Sequence, residues 1–279
     1  MGICVSCPTT YTESDGLFRL VPNVVGASAA PFLEQYRVVR NVDGHGRRST
    51  AEYRALPRVR ALDPTAGEWR IRRQSFETMR RELRDAGRSS RRVLDVGAGN
   101  GWLSYRLARE GHALVAVDLN DDSADGLMAS AAYDVRFALV HADFDALPFG
   151  PAQFDVVVMN ASLHYARDPG RTLRDVDRLV APGGSIVVMD SPMFEHEPDG
   201  ESMVHQQQDQ LRSRYGIPAP IRRGVGYLTF EILRRAATTL RRRTRFVVSR
   251  GSFAWRLRRR LGERRLGRSA ASFGVWVAR

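Results

Sequence analysis

Three glycines at alternate positions, Gly97, Gly99 and Gly101, follow a short apolar run and precede a segment with helical character. A residue without a Cβ lets the backbone approach a ligand closely, and the free N–H groups at a helix start favour an anionic or polar group. The dinucleotide fingerprint needs a glycine where Trp102 stands, and a P-loop needs a Gly-Lys-Ser/Thr ending that is absent here. The spacing therefore predicts a ligand-binding turn of another kind, with an ordinary tight turn as the alternative.

An acidic residue ends the next apolar run, at Asp118, about twenty residues after the glycine turn, the spacing expected of a ribose-binding carboxylate. A carboxylate at this position accepts charge-assisted hydrogen bonds from both hydroxyls of a ribose. The alternative is a helix cap, because Asp118, Asn120 and Asp121 all precede a predicted helix. The spacing from the glycine turn favours the ribose role.

Short Val-rich runs alternate with amphipathic helical stretches from residue 92 onward, which is the pattern of a parallel α/β sheet. Near-continuous apolar runs are expected of strands that helices cover on both faces. We predict a doubly wound, Rossmann-like sheet of seven strands, the last two antiparallel to each other. Their predicted ranges are residues 92–96, 113–117, 135–140, 154–159, 185–189, 245–249 and 273–278.

Two segments outside this alternation are predicted to cover the carboxyl edge of the sheet. Residues 1–90 form an N-terminal segment and helical cap, with helices predicted at 31–40 and 67–85. The domain proper spans 91–279, and within it residues 191–243 form an insertion between strands five and six, with helical patterns at 201–214 and 229–243. Insertions of this kind commonly act as substrate lids.

Four runs in the order of the chain resemble the motifs of class I S-adenosylmethionine (SAM)-dependent methyltransferases. The resemblance covers about residues 90–192, roughly a third of the chain, and is to the small-molecule and quinone-type branch, the methyltransferase type 11-like proteins. The runs are Val93 to Ser104, His141 to Phe149, Phe154 to Tyr165, and Ala181-Pro182-Gly183-Gly184 before the fifth strand.

The resemblance implies SAM as cofactor and S-adenosyl-L-homocysteine as product. It places Asp143 at the adenine amino group and Phe144 against the adenine ring. The full set of implied cofactor-binding residues is Gly97, Ala98, Gly99, Asn100, Gly101, Trp102, Asp118, Leu119, Asp143, Phe144, Asn160, Ala161 and His164.

Methyl transfer by in-line displacement depends chiefly on orientation, and a base is needed only when the acceptor loses a proton. His164 is the candidate catalytic base, with packing beside the methionine part of the cofactor as the alternative. Tyr165, Asp190 and Met193, near strand ends, are predicted substrate residues, although Asp190 could instead cap a turn. In the cap helix, Trp69 and Arg73 either close over the cofactor or, in the case of Trp69, belong to the core.

The net charge of +12 comes from 43 basic residues, every one an arginine, against 31 acidic residues. The arginines are scattered in pairs and triplets, which favours solvated helix faces and coding bias over an RNA-binding stripe, the alternative. With no membrane span or signal segment in the pattern, a soluble, cytoplasmic, bacterial protein is expected. Cys4 and Cys7 supply only half of a zinc ribbon, and we predict no metal site.

Three functions follow from these observations. The first is methyl transfer to O, N or C of a small-molecule metabolite, and the second is methylation of a guanine ring nitrogen in RNA. The third is non-catalytic SAM binding. The run Asn160-Ala161-Ser162-Leu163 differs from the motif used on exocyclic base amines, and the methyl acceptor and the oligomeric state are left open.

Overall fold

A computed structural model describes residues 2–3, 10–46, 48–84, 90–249, 257 and 262–279. The chain folds around one central sheet whose strand order is β1-β2-β3-β6-β5-β4-β7-β8-β12-β11. Strands β3 to β8 of this sheet pair in parallel, while β12 runs antiparallel to both β8 and β11. This arrangement is the predicted α/β architecture.

The bounds of the elements are as follows. The strands are β1 (Gly2–Ile3), β2 (Thr10–Ser14), β3 (Leu17–Arg19), β4 (Arg92–Val96), β5 (Ala113–Asp118), β6 (Ala138–His141), β7 (Phe154–Asn160), β8 (Val180–Met189), β9 (Met193–Phe194), β10 (Leu228–Thr229), β11 (Thr244–Val248) and β12 (Gly274–Ala278). The helices are α1 (Asn23–Val42), α2 (Thr50–Ala55), α3 (Ala66–Arg84), α4 (Trp102–Arg109), α5 (Pro169–Leu179), α6 (Glu197–Tyr215) and α7 (Phe230–Leu240).

The core lies on both faces of the sheet because successive side chains of a strand point in opposite directions. Val93 belongs to the cluster that contains Trp69 and Met79 of α3, whereas its neighbour Leu94 belongs to the cluster that contains Leu173 of α5. Both faces of β4 are therefore buried, as its uninterrupted apolar sequence predicts. In such a sheet the ligand site is expected at the carboxyl ends of the strands.

The sheet is larger than the seven strands predicted. All seven are present, but β3 pairs in parallel with β6, and β2 pairs with β3, so the N-terminal segment extends the sheet edge. Leu17 of β3 is completely buried, and the backbone N–H of Leu20 donates to the carbonyl of His141. The prediction missed these strands because they are short and precede the alternating pattern.

Several predicted boundaries also differ. Helix α1 begins at Asn23 and contains Pro31, whereas the sequence pattern predicts that the helix starts at that proline. Strand β8 begins at Val180 and includes the Pro-Gly-Gly run, which the sequence analysis places before the fifth strand. Between β5 and β6 the predicted helix is a short 3-10 segment, Leu127–Ala132. Cys4 and Cys7 lie outside the described residues. The Arg-rich stretch before β12, residues 255–265, lies mostly outside them.

Candidate functional site

A cavity of about 320 Å³ lies at the carboxyl ends of β4, β5, β7 and β8. The motif residues that line it are Gly97, Ala98, Gly99, Asn100, Trp102, Asp118, Leu119, Phe144, Asn160, Ala161, His164, Tyr165 and Asp190. They lie far apart in the sequence and meet because parallel strands deliver their carboxyl ends to one edge. The strand order therefore builds this site.

The glycine turn has the backbone geometry that only glycine adopts without strain. The φ angles of Gly97, Gly99 and Gly101 are +74°, +54° and +72°. A Cβ on Gly97 would lie 2.3 Å from the Cβ of Ser162, which lies two residues after the end of β7. Gly101 is the N-cap of α4, so the helix N-terminus points its free N–H groups toward this turn.

Asp118 lies at the end of β5, beside the glycine turn. Its two carboxylate oxygens each accept one backbone hydrogen bond at 2.7 Å, Oδ2 from Gly99 and Oδ1 from Asn120. A carboxylate has about four acceptor positions, so each oxygen keeps capacity for a ligand hydroxyl. Burial and, to a smaller extent, the nearby Asp125 carboxylate raise the pKa of Asp118, and the backbone N–H donors oppose that rise.

Three buried polar atoms around this cavity lack a hydrogen-bond partner among the described residues. They are Asn160 Oδ1, Asp190 Oδ2 and Asn120 Nδ2. Buried polar atoms are nearly always paired in native proteins, so unpaired ones on residues that line a cavity are candidates for contact with a ligand.

The proton-transfer candidates differ sharply in their surroundings. His164 Nδ1 lies 3.1 Å from Ser191 Oγ, and burial, with a smaller effect of the Arg72 guanidinium, lowers the pKa of His164 to about 3. Asp190 Oδ1 accepts a 2.5 Å hydrogen bond from Ser75 Oγ, and burial raises the pKa of Asp190 to about 6. Near neutral pH the imidazole is uncharged and is the weaker base of the two.

Arg72 of α3 brings a positive charge to the same cavity. Its guanidinium lies 4.7 Å from the ring centroid of Trp69 and 3.7 Å from the Glu68 carboxylate. Trp69 is 1% exposed and packs edge-on against Trp102, so it belongs to the core. The cap helix thus reaches the site through Arg72, whereas the sequence pattern had indicated Arg73, one residue farther along the helix.

A second cavity of about 490 Å³ adjoins the first and shares part of its wall. The shared residues are Phe32, Tyr36, Arg40, His164, Tyr165, Pro192, Gln207 and Arg223. The rings of Phe32, Tyr36 and Tyr165 lie 6.0–6.2 Å apart, between centroids, and form an aromatic cluster on this wall. Because both α1 and α6 contribute lining residues, the cavity lies between the N-terminal cap and the 191–243 insertion.

Three predicted site residues do not line the first cavity. Gly101 packs against the Phe137 ring, and a Cβ on Gly101 would lie 3.0 Å from that ring. Met193 is fully buried in the core and pairs with Leu228, so its side chain lies away from either cavity. Asp143 is 5% exposed and pairs with Arg223, which lines both cavities.

Sequence reasoning missed the residues that the cap and the insertion supply, above all Phe32, Tyr36, Arg40, Arg72 and Arg223. The first three recur at four-residue intervals, which places them on one face of α1. That spacing was visible in the sequence. The two remaining arginines carried no distinguishing signal in a chain with 43 basic residues.

Two negative findings apply to the described part of the chain. No helix there is long and apolar enough to cross a membrane. Within the same residues, no group of three or more His, Cys, Asp or Glu side chains is arranged to hold a metal ion.

Comparison with known proteins gives a family match over residues 94–188, to the model described as a methyltransferase domain. A demethylmenaquinone methyltransferase of Clavibacter sepedonicus is 36% identical over 97 residues, which are 35% of this chain and 40% of that protein. A malonyl-[acyl-carrier protein] O-methyltransferase of Erwinia billingiae is 32% identical over 100 residues, 36% of this chain and 39% of the other. The chain therefore spans about two fifths of the length of these curated relatives.

The fold is shared with a solved structure, the 1,6-didemethyltoxoflavin-N1-methyltransferase of Burkholderia thailandensis, which contains 1,6-didemethyltoxoflavin and S-adenosylhomocysteine. The TM-score is 0.52, the sequence identity is 18%, and the match covers 93% of this chain and 92% of that one. At this identity the likeness is one of fold. It extends beyond the 94–188 segment to almost the whole chain.

Proposed function

Residues 94–188 form a methyltransferase domain, and on that premise we propose that the chain transfers the methyl group of SAM to a small-molecule acceptor. The observation that carries the proposal is the joining of the glycine turn to Asp118, with unpaired buried polar atoms on other residues that line the same cavity. Bound SAM supplies an electrophilic methyl group on a sulfonium. The protein's own task is then to orient two ligands and exclude water.

The strand order suggests how the cofactor site is divided. Asp118, the last residue of β5, would bind the ribose, while Asp143 and Phe144 follow β6 and would hold the adenine. Gly97 and Gly99 follow β4 and Asn160 ends β7; these residues would hold the amino-acid tail, with Arg72 as the partner of its carboxylate. The second cavity, which shares a wall with this site, would receive the acceptor.

Where the acceptor must lose a proton, we assign the proton-accepting role to Asp190 instead of His164. An effective base has a pKa near the working pH, and the Asp190 value of about 6 is closer to it than the His164 value of about 3. Asp190 also lines the cavity and has one buried oxygen without a hydrogen-bond partner among the described residues. His164 and Tyr165, between the two cavities, then position the acceptor.

An RNA acceptor, methylated at a guanine ring nitrogen, is the second candidate, and the net charge of +12 favours it. Around the cavities, however, Arg40 is paired with Asp125, and Arg222 donates to backbone carbonyls of its own loop. Paired guanidinium groups attract phosphates weakly, which supports the small-molecule reading.

The test is a calorimetric titration with S-adenosylhomocysteine, repeated with NAD and in the presence of total RNA. Micromolar or tighter binding of S-adenosylhomocysteine, and none of NAD, is expected. Enhancement by RNA would favour the second candidate, and binding without turnover on any acceptor would favour a non-catalytic role. If S-adenosylhomocysteine does not bind, the proposal is wrong.

A further inference from the structure

Arg223 occupies an unusual position, on the boundary between the two cavities. The loop that carries it is fixed against the β7 loop: the N–H of Gly226 donates to the carbonyl of His164 at 2.8 Å. Gly224, at φ +71°, approaches so closely that a Cβ there would lie 2.3 Å from the carbonyl carbon of Tyr165. The backbone that follows Arg223 is therefore held in place, so a change of partner by Arg223 would involve its side chain.

The guanidinium of Arg223 makes the two contacts that the proposed function assigns to adenine. Its Nη2 donates to Asp143 Oδ1 at 2.5 Å, and its central carbon lies 5.8 Å from the ring centroid of Phe144. The side chains of Arg223 and Asp143 are only 11% and 5% exposed, so this ion pair is shielded from solvent. An adenine amino group would have to compete with it for the same carboxylate.

The other charged side chains on the wall of the second cavity already have partners. Asp43 accepts hydrogen bonds from Arg214 and Tyr215, Glu68 lies beside Arg72, and Arg40 is paired with Asp125. Arg222 donates to backbone carbonyls of its own loop. If Arg223 left Asp143, the carboxylate that remains nearest to it among the described residues would be Asp145, at 4.0 Å, and Arg223 would be the least satisfied cation of this wall.

We propose that Arg223 exchanges partners during the binding cycle. Before the cofactor binds, Arg223 is paired with Asp143. When the adenine amino group binds Asp143 instead, the guanidinium of Arg223 binds an anionic group, a carboxylate or phosphate, on the methyl acceptor. This inference rests on the proposed function and adds two features to it: the acceptor is an anion, and it binds after the cofactor. By linkage, cofactor and anion then raise each other's affinity by the same factor.

The first test compares the S-adenosylhomocysteine affinity of the wild type, R223Q and R222Q by calorimetry. R223Q removes the competitor for Asp143 and should bind about tenfold more tightly, the size expected for one charge-assisted hydrogen bond. R222Q, the adjacent residue with only backbone partners, should match the wild type. Unchanged or weaker binding by R223Q overturns the inference, whereas absence of binding by the wild type overturns the proposed function instead.

The second test needs no variant that might fold poorly. Benzoate, a flat carboxylate suited to the aromatic cluster, and its neutral counterpart benzamide are titrated into the wild type with and without saturating S-adenosylhomocysteine. Benzoate should bind at least about tenfold more tightly with the nucleoside present, and benzamide equally in both conditions. Equal benzoate affinities, or the same gain for benzamide, contradict the exchange. In R223Q the benzoate gain should disappear.

Discussion

The carboxylate of Asp118 accepts a hydrogen bond from the backbone N–H of Gly99, with a distance of 2.7 Å between Oδ2 and N. This contact joins the end of β5 to the turn after β4, two neighbouring parallel strands. The turn and the carboxylate therefore act as one preformed unit. Its rigidity lowers the entropic cost of ordering the site when a ligand binds.

Replacing Asp118 with Ala should weaken S-adenosylhomocysteine binding by at least about a hundredfold, because charge-assisted hydrogen bonds to two ribose hydroxyls are lost. Calorimetry measures the effect. D121A is the matched control, since Asp121 lies in the same loop, pairs with Arg19 and does not line the first cavity. Equal losses in the two variants would remove Asp118 from the ribose role.

Gly97 should tolerate a methyl group far less well than Gly183, although the two have almost the same φ, +74° and +73°. A Cβ on Gly183 meets no atom within 4 Å, whereas one on Gly97 meets Ser162. G183A should therefore cost about 1 kcal/mol of unfolding free energy from backbone strain, and G97A about 2 kcal/mol more. Urea denaturation compares them, and S162G should restore part of the G97A loss. Equal costs would contradict the steric argument.

The carboxyl group of Asp190 should titrate with a midpoint near pH 6, since burial disfavours its charged form. Carbon-13 NMR of labelled aspartate measures this directly, and the signal is assigned by its loss in D190N. S75A should move the midpoint upward because the hydrogen bond from Ser75 stabilises the carboxylate. D209N, at an exposed site on α6, should leave this signal unchanged. A midpoint near pH 4 would disqualify Asp190 as the proton acceptor.

The motif residues were predictable because each follows a strand in a parallel sheet. Once β4, β5 and β7 were recognised as buried runs, Gly97, Asp118 and Asn160 had to meet at one edge, and all three line the cavity. Met193 shows the limit of this rule. After β8 the chain turns through Asp190, at φ +55°, and then pairs with β10, which directs Met193 into the core.

Contacts from the cap and the insertion could not be predicted in the same way. Arg40 and Arg223 find their partners Asp125 and Asp143 only when distant segments dock on the sheet. Docking depends on packing of whole helices and is not encoded in a local pattern. Amphipathic spacing did identify α3 and α6 as helices, but not which of their polar residues face the cavities.

Arg40 should contribute strongly to docking of the cap. Its Nε lies 2.5 Å from Asp125 Oδ2, their side chains are 18% and 6% exposed, and Asp125 also accepts a hydrogen bond from Asn100 beside the glycine turn. R40M leaves a buried carboxylate without its cation and should lower the unfolding free energy by about 3 kcal/mol. Adding D125N should recover much of this loss. R212M, which breaks the exposed pair with Asp209, should cost less than about 1 kcal/mol.

Asp95 should make the protein less stable as the pH rises from about 4 to 7. Its carboxyl group is fully buried in β4, Ser104 Oγ donates to it at 2.8 Å, and burial raises its pKa to about 7, against 3.8 for an exposed aspartate. In this interval the folded state binds more protons than the unfolded state, so the unfolding free energy falls with increasing pH. The full penalty, reached above pH 7, is on the order of 4 kcal/mol.

D95N cannot ionise and keeps the acceptor for Ser104, so its stability relative to the wild type should increase between pH 5 and pH 8 in urea denaturation. The exposed substitution D209N should show no such change, and a D95N difference that is constant with pH would mean that Asp95 is already ionised in the folded protein at pH 5.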